Sequence, residues 1–109
     1  MLVVKVWGLP KLSEAELVFL HERIVEAAVS VKTSLIETEK DMMVWFPSDL
    51  MVHGLGENVL IEFSNSLPTR LLTIYSLAQK IGLALHAFLP NANVECHDIS
   101  STSFLWASE

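Results

Sequence analysis

Four residues with reactive side chains stand in a row near the end of the chain, Glu95-Cys96-His97-Asp98. All four types can bind a metal or move a proton, so their geometry decides what they can do. Alternate residues of a strand point to opposite faces. At most Glu95 with His97, or Cys96 with Asp98, can therefore share a site. A metal centre needs three or four convergent ligands, and the other histidines, His21, His53 and His86, are scattered along the chain. No metal site is expected. Cys96 and His97 are neighbours rather than groups facing across a cleft, which makes them a poor nucleophile and base pair. Gly54-Leu55-Gly56 lacks the third glycine of a dinucleotide-binding loop, and no helical pattern follows it. It reads as a turn, and no cofactor is expected. Lys32 follows the first amphipathic stretch as a helix-end cation. Trp7, Trp45 and Trp106 are core or interface anchors, since a large amphipathic ring contributes most where it is covered.

Composition narrows the function classes further. The net charge is −6 with only seven Lys and Arg in 109 residues. That excludes a basic nucleic-acid surface. A single cysteine, Cys96, excludes an internal disulfide framework and fits a reducing, cytoplasmic setting. Lys5 and Pro10 interrupt the N-terminal apolar run, so no signal peptide is read there. The apolar stretch Leu67 to Leu89 contains Arg70, Gln79, Lys80 and His86, and reads as a buried soluble helix rather than a membrane span. Hydrophobic residues are 51% of the chain and charged residues 18%, against about 25% charged in ordinary globular domains. So apolar a surface on a 12.2 kDa chain points to burial by another subunit.

The elements that would position these residues follow from periodicity. Leu2 to Trp7 is β-branched and aromatic, ends at Gly8-Leu9-Pro10, and reads as a strand. Ser13-Glu14-Ala15-Glu16 has the pattern of a capping box. Leu17, Leu20, Ile24, Ala27, Ala28 and Val31 then recur on one helical face, with Glu22, Arg23 and Glu26 opposite. Met42 to Phe46, stopped by Pro47, is the parallel partner expected of the first strand. A loop over Pro47 to Asn58 leads to a third strand, Val59 to Phe63. A second helix begins near Pro68, capped by Ser66 or Thr69. Its face of Leu71, Ile74, Tyr75, Ala78, Ile81, Leu85 and Phe88 is widened by Leu72, Leu77, Leu83 and Leu89, as for a helix buried on more than one side. Val94 to Ile99 is the fourth strand and Phe104-Leu105-Trp106 a short apolar tail. The expectation is one α/β domain over residues 1–109, an α+β sandwich of two β-α-β units. It has pseudo-repeat halves of about 1–50 and 51–109, a four-stranded mixed sheet and both helices on one face. That order is common to the ferredoxin-like and the tautomerase folds, and periodicity does not separate them.

Short motifs do point to one of the two. Trp45-Phe46-Pro47 followed by Ser48-Asp49-Leu50-Met51, then Gly54-Leu55-Gly56 and Val59 to Phe63, resembles a segment of the tautomerase superfamily, the family of macrophage migration inhibitory factor. There an apolar strand ends in a turn containing Pro, Asp, Leu and Met, and a glycine-bearing loop leads to the next strand. Asp98-Ile99, with Trp106 eight residues after Asp98, resembles that family's fourth strand and tryptophan-bearing C-terminal strand. The resemblance implies a homotrimer whose sheets surround a central axis, each C-terminal segment pairing with a neighbour. It also implies proton transfer between keto and enol forms of small keto acids or aromatic ligands of that type. The family's base is an N-terminal proline exposed by removal of the initiator methionine. An amine in apolar surroundings is neutral near pH 7 yet basic.

The chain departs from that pattern at the decisive position. Residue 2 is Leu2, too large for ready methionine removal, so Met1 is expected to remain and its primary amine is the candidate catalytic group. The resemblance places substrate-binding roles on Lys32, on Glu95 where the family has an asparagine, and on Trp106 as a wall from a neighbouring subunit. Pro47 falls four residues later than the family spacing predicts, and a carboxylate at Glu95 would repel an anionic keto acid. The expectation is a trimeric binding or structural module with little or no tautomerase activity. An active isomerase using the Met1 amine, and a ferredoxin-like ligand-sensing domain, are the alternatives.

Overall fold

Alternation in the first strand sets the orientation of the whole molecule. The computed structural model describes residues 2–32, 36, 38–47, 58–65, 71–98 and 103–108. In β1 (Leu2–Trp7), Leu2, Val4 and Val6 are completely buried while Val3, Lys5 and Trp7 stay partly exposed. The even positions therefore face a helical layer and the odd positions face away from it.

Helix α1 (Glu14–Val29) starts where the capping box places it. The Ser13 hydroxyl accepts the Glu16 amide at 3.1 Å, and the Glu16 carboxylate accepts the Ser13 amide at 3.0 Å. Two otherwise unpaired amides of the first turn are satisfied this way. Leu20, Ile24 and Ala28, spaced by four, are fully buried. After a short 3₁₀ turn at Glu39–Asp41 comes β2 (Met42–Trp45), which runs parallel to β1 with Lys5 opposite Trp45.

The second half repeats the plan. Strand β3 (Asn58–Asn65) lies antiparallel to β1, helix α2 (Leu71–Phe88) follows, and β4 (Asn93–Asp98) returns parallel to β3. The two helices touch each other, and their buried residues join those of the strands in one core cluster on one face of the sheet. In each β-α-β unit the two strands are direct neighbours. A split β-α-β unit, as in the ferredoxin-like fold, would hold another strand between them, so that alternative is set aside.

The sheet has five strands, in the order β2-β1-β3-β4-β5, and not the four expected. The extra strand is the apolar tail, β5 (Ser103–Ala107), which pairs antiparallel with β4 through an irregularity at Cys96/His97. Paired there, it covers backbone groups of β4 that would otherwise form an open edge. The ring of Trp106 lies over Gly82 of α2 within the same chain, where a Cβ would come 2.4 Å from the ring. Helix α2 is also less enclosed than its sequence implies. Ile74, Leu77, Ala78, Ile81 and Leu85 are buried, whereas Tyr75 and Leu83 are exposed.

Candidate functional site

Of the expected site residues, Lys32, Glu95 and Trp106 are among the described residues. Met1 lies outside the described residues. So do the turn Ser48-Asp49-Leu50-Met51, Gly54-Leu55-Gly56 and Ser66 to Arg70. Next to Met1, the Leu2 side chain is completely buried, and its backbone sits opposite Met42 and Asn65. Lys32 follows the last turn of α1, where its amide bonds the Val29 carbonyl at 3.1 Å. Its φ of 56° puts it in the left-handed region, which costs an L-residue about 1–2 kcal/mol. A glycine would sit there freely, so the backbone tolerates the lysine rather than selecting it.

Glu95 is exposed on β4 opposite Leu60, which in turn is opposite Trp7. That is the far end of β1 from Leu2, roughly 17 Å away along the strand at about 3.3 Å per residue. The Glu95 carboxylate meets His97 Nε2 at 3.1 Å. This is the same-face pair that strand alternation predicts. Trp106 faces the helical layer beside Gly82 while Glu95 faces away from it. Within one chain, Glu95 and Trp106 therefore stand on opposite faces of the sheet.

Cys96 is fully buried, and its thiol approaches the Ala78 carbonyl at 3.5 Å. Burial pushes the thiol pKa up to about 12, so the nucleophilic thiolate is absent at neutral pH. Among the described residues, no three His, Cys, Asp or Glu side chains converge as a metal site would require, and no helix is long and apolar enough to cross a membrane.

What the structure does assemble is a recess on the face of the sheet away from the helices. It has a volume of about 280 Å³ and is lined by Val3, Lys5, Trp45, Glu62 and Ser64. The Lys5 ammonium sits 5.5 Å from the centre of the Trp45 ring. The Trp7 indole donates to Glu62 Oε1 at 2.6 Å. Opposed positions carry the polar groups in a line across the sheet: Trp45, Lys5, Glu62 and His97. Sequence reasoning missed this grouping. The odd positions of β1 and the interruption of β3 by Glu62 were legible as an outward face, but the register that sets Lys5 between Trp45 and Glu62 was not.

Comparison with solved structures fits the topology. A structure described as "Q0 fused 4-OT wild type symmetric trimer" superposes with a TM-score of 0.60 at 17% identity, covering 88% of this chain and 84% of the other. The crystal structure of Pt0534 inactivated by 2-oxo-3-pentynoate gives 0.56 at 14% identity with the same coverages. No protein-family model matches the chain, and no curated protein sequence matches it significantly. What is shared with these 4-oxalocrotonate tautomerase (4-OT) family structures is the arrangement of helices and strands, and the chain has a tautomerase-like fold.

Proposed function

We propose that this chain forms a homotrimer that acts as a small-molecule-binding or structural module, with little or no keto–enol tautomerase activity. The observation that carries this reading is Leu2. It stands at the start of β1 where the family's chemistry needs a proline, and its side chain is wholly committed to the core. The four prolines of the chain are Pro10, Pro47, Pro68 and Pro90, none of them at that strand's start.

Assembly is supported by the surface. Met43 and Trp45 are exposed on the edge strand β2, and Val3, Trp7 and Leu60 sit on the same uncovered sheet face. A small domain gains by covering such a face with another copy. The symmetric trimer named for the first structural neighbour supports the number three. A trimer also resolves the separation of the candidates. The start of β1 and Glu95 lie at opposite ends of one sheet, so a pocket that used both would draw them from different copies. The natural ligand of such a pocket is a small keto acid or aromatic compound.

Static light scattering at micromolar concentration tests the assembly. The expected mass is three times 12.2 kDa, and a monomer mass across the micromolar range overturns it. The alternative, an active isomerase using the Met1 amine, is favoured if native protein enolises phenylpyruvate at an enzyme-like rate.

A further inference from the structure

Among the described residues, the charged and titratable side chains on the sheet face away from the helices are Lys5, Glu62, Glu95 and His97. Lys5, Glu62 and His97 stand opposite one another on β1, β3 and β4, and Glu95 lies on the same side of β4 as His97. His97 Nε2 approaches the Glu95 carboxylate at 3.1 Å. Its in-register neighbours are Glu62 on β3 and, on β5, Phe104, which carries no charge. Asp98 is opposite the buried Phe63 and so belongs to the helical side. Lys5 stands across from Glu62, which leaves Glu95 to His97. With a neutral imidazole the face holds one cation, Lys5, against two carboxylates, Glu62 and Glu95, and is net negative. With an imidazolium the charges balance.

Such a row costs little in one chain, where water screens it. Assembly changes that. The trimer proposed above lays another copy over this face, and a charge taken from water without a partner is expensive. Three copies also bring three such faces towards one axis, where like charges repel. We propose that His97 couples assembly to pH: each copy holds a proton on His97 in the trimer, so association tightens as pH falls. Imidazole is the side chain that ordinarily changes charge between pH 5 and 8. The sign follows from linkage, since the state that binds more protons gains as pH falls, and here that state is the trimer. The coupling rests on the proposed trimer and adds a regulation to it. It is independent of any tautomerase chemistry.

The test is sedimentation velocity of the full chain from nanomolar to micromolar concentration, at pH 5.5 and at pH 8, with ionic strength held constant because salt screens charge. The half-assembly concentration should be about tenfold or more lower at pH 5.5, the order expected when a close interfacial charge pair is made or lost. His97→Gln keeps a hydrogen-bonding side chain beside Glu95 but does not titrate, and should lose most of that response. Glu95→Gln removes the carboxylate that His97 answers. At pH 8 it should assemble about as tightly as the native chain does at pH 5.5. Both positions are partly exposed, and unchanged far-ultraviolet circular dichroism shows that the variants are folded. A native trimer whose midpoint does not move with pH overturns the coupling and leaves the trimer standing. So does an equal pH response in His97→Gln, or a Glu95→Gln trimer weaker than the native one at pH 8. A monomer at every pH and concentration overturns the trimer itself, and the coupling with it.

Discussion

Gly82 and Trp106 give a prediction whose sign depends on the second residue. Glycine inside a helix is normally a weakness, and replacing it with alanine stabilises by about 0.5–1 kcal/mol. At Gly82 the new Cβ would lie 2.4 Å from Cε3 and 2.5 Å from Cζ3 of Trp106. Carbon atoms settle at about 3.5–4.0 Å, so the indole must retreat by more than an ångström. Trp106 cannot retreat with its backbone, because it is paired opposite Cys96 in the sheet. Overpacking of this kind costs about 1–3 kcal/mol. Gly82→Ala should therefore destabilise the protein by about 1 kcal/mol net. In a Trp106→Ala background the clash is gone, and the same change should stabilise by roughly 0.5–1 kcal/mol. The coupling between the two sites is then about 2 kcal/mol, within the range for residues in contact. Urea unfolding of the four proteins at one fixed concentration measures it, with fixed concentration required because assembly contributes to apparent stability. If Gly82→Ala stabilises equally in both backgrounds, Trp106 does not rest on its own α2, and a seat on a neighbouring copy takes its place.

Three further perturbations follow from local geometry. Ser13→Ala removes the acceptor for the Glu16 amide and should cost about 1 kcal/mol at pH 7. Because the bonds from Ser13 hold the Glu16 carboxyl below its ordinary 4.5, the carboxylate's share of the cap is present above that value and is lost as pH falls through the lowered pKa, while the bond from the Glu16 amide to the Ser13 hydroxyl does not titrate. The fully buried Cys96 should resist alkylation by iodoacetamide at pH 8 until denaturant is added. Its thiol is raised from 9.0 to about 12, so stability should fall as pH climbs from about 9 towards 12, where only the unfolded chain releases that proton. Lys32→Gly relieves a φ of 56° and should stabilise by about 1 kcal/mol, read as a higher urea midpoint.

Much of the fold was legible because local patterns and burial agreed. Leu2, Val4 and Val6 alternate with Val3, Lys5 and Trp7, and the structure buries the first set and leaves the second outside. Ser13 and Glu16 named the start of α1 to the residue. The fifth strand was less legible. Phe104-Leu105-Trp106 is too short to show a period, and its pairing with β4 passes through an irregularity that no sequence pattern encodes. The outer side of α2 misled for a different reason. Tyr75 and Leu83 extend the apolar face, but hydrophobicity reports what can be buried, not what one chain alone covers. Site residues were the least legible. Lys32, Glu95 and Trp106 were placed by resemblance rather than by any local pattern, while the recess around Lys5 and Trp45 depends on a register between three strands.

The proposal that this tautomerase-like fold carries little or no tautomerase activity is tested most directly by turnover of phenylpyruvate. The buried Leu2 decides which variant to set beside the native chain. Replacing Leu2 itself by proline would empty a core position and cost several kcal/mol, as large-to-small core changes do. Encoding Met-Pro-Leu instead leaves Leu2 in place and puts a prolyl amine where Met1 stands. A well-placed general base contributes roughly 10²–10⁴-fold. The native chain should therefore turn over no faster than a surface amine, and any gain should appear only in the prolyl variant. Enzyme-like turnover by the native chain, abolished when its Met1 amine is blocked, would contradict the claim and make Met1 the base.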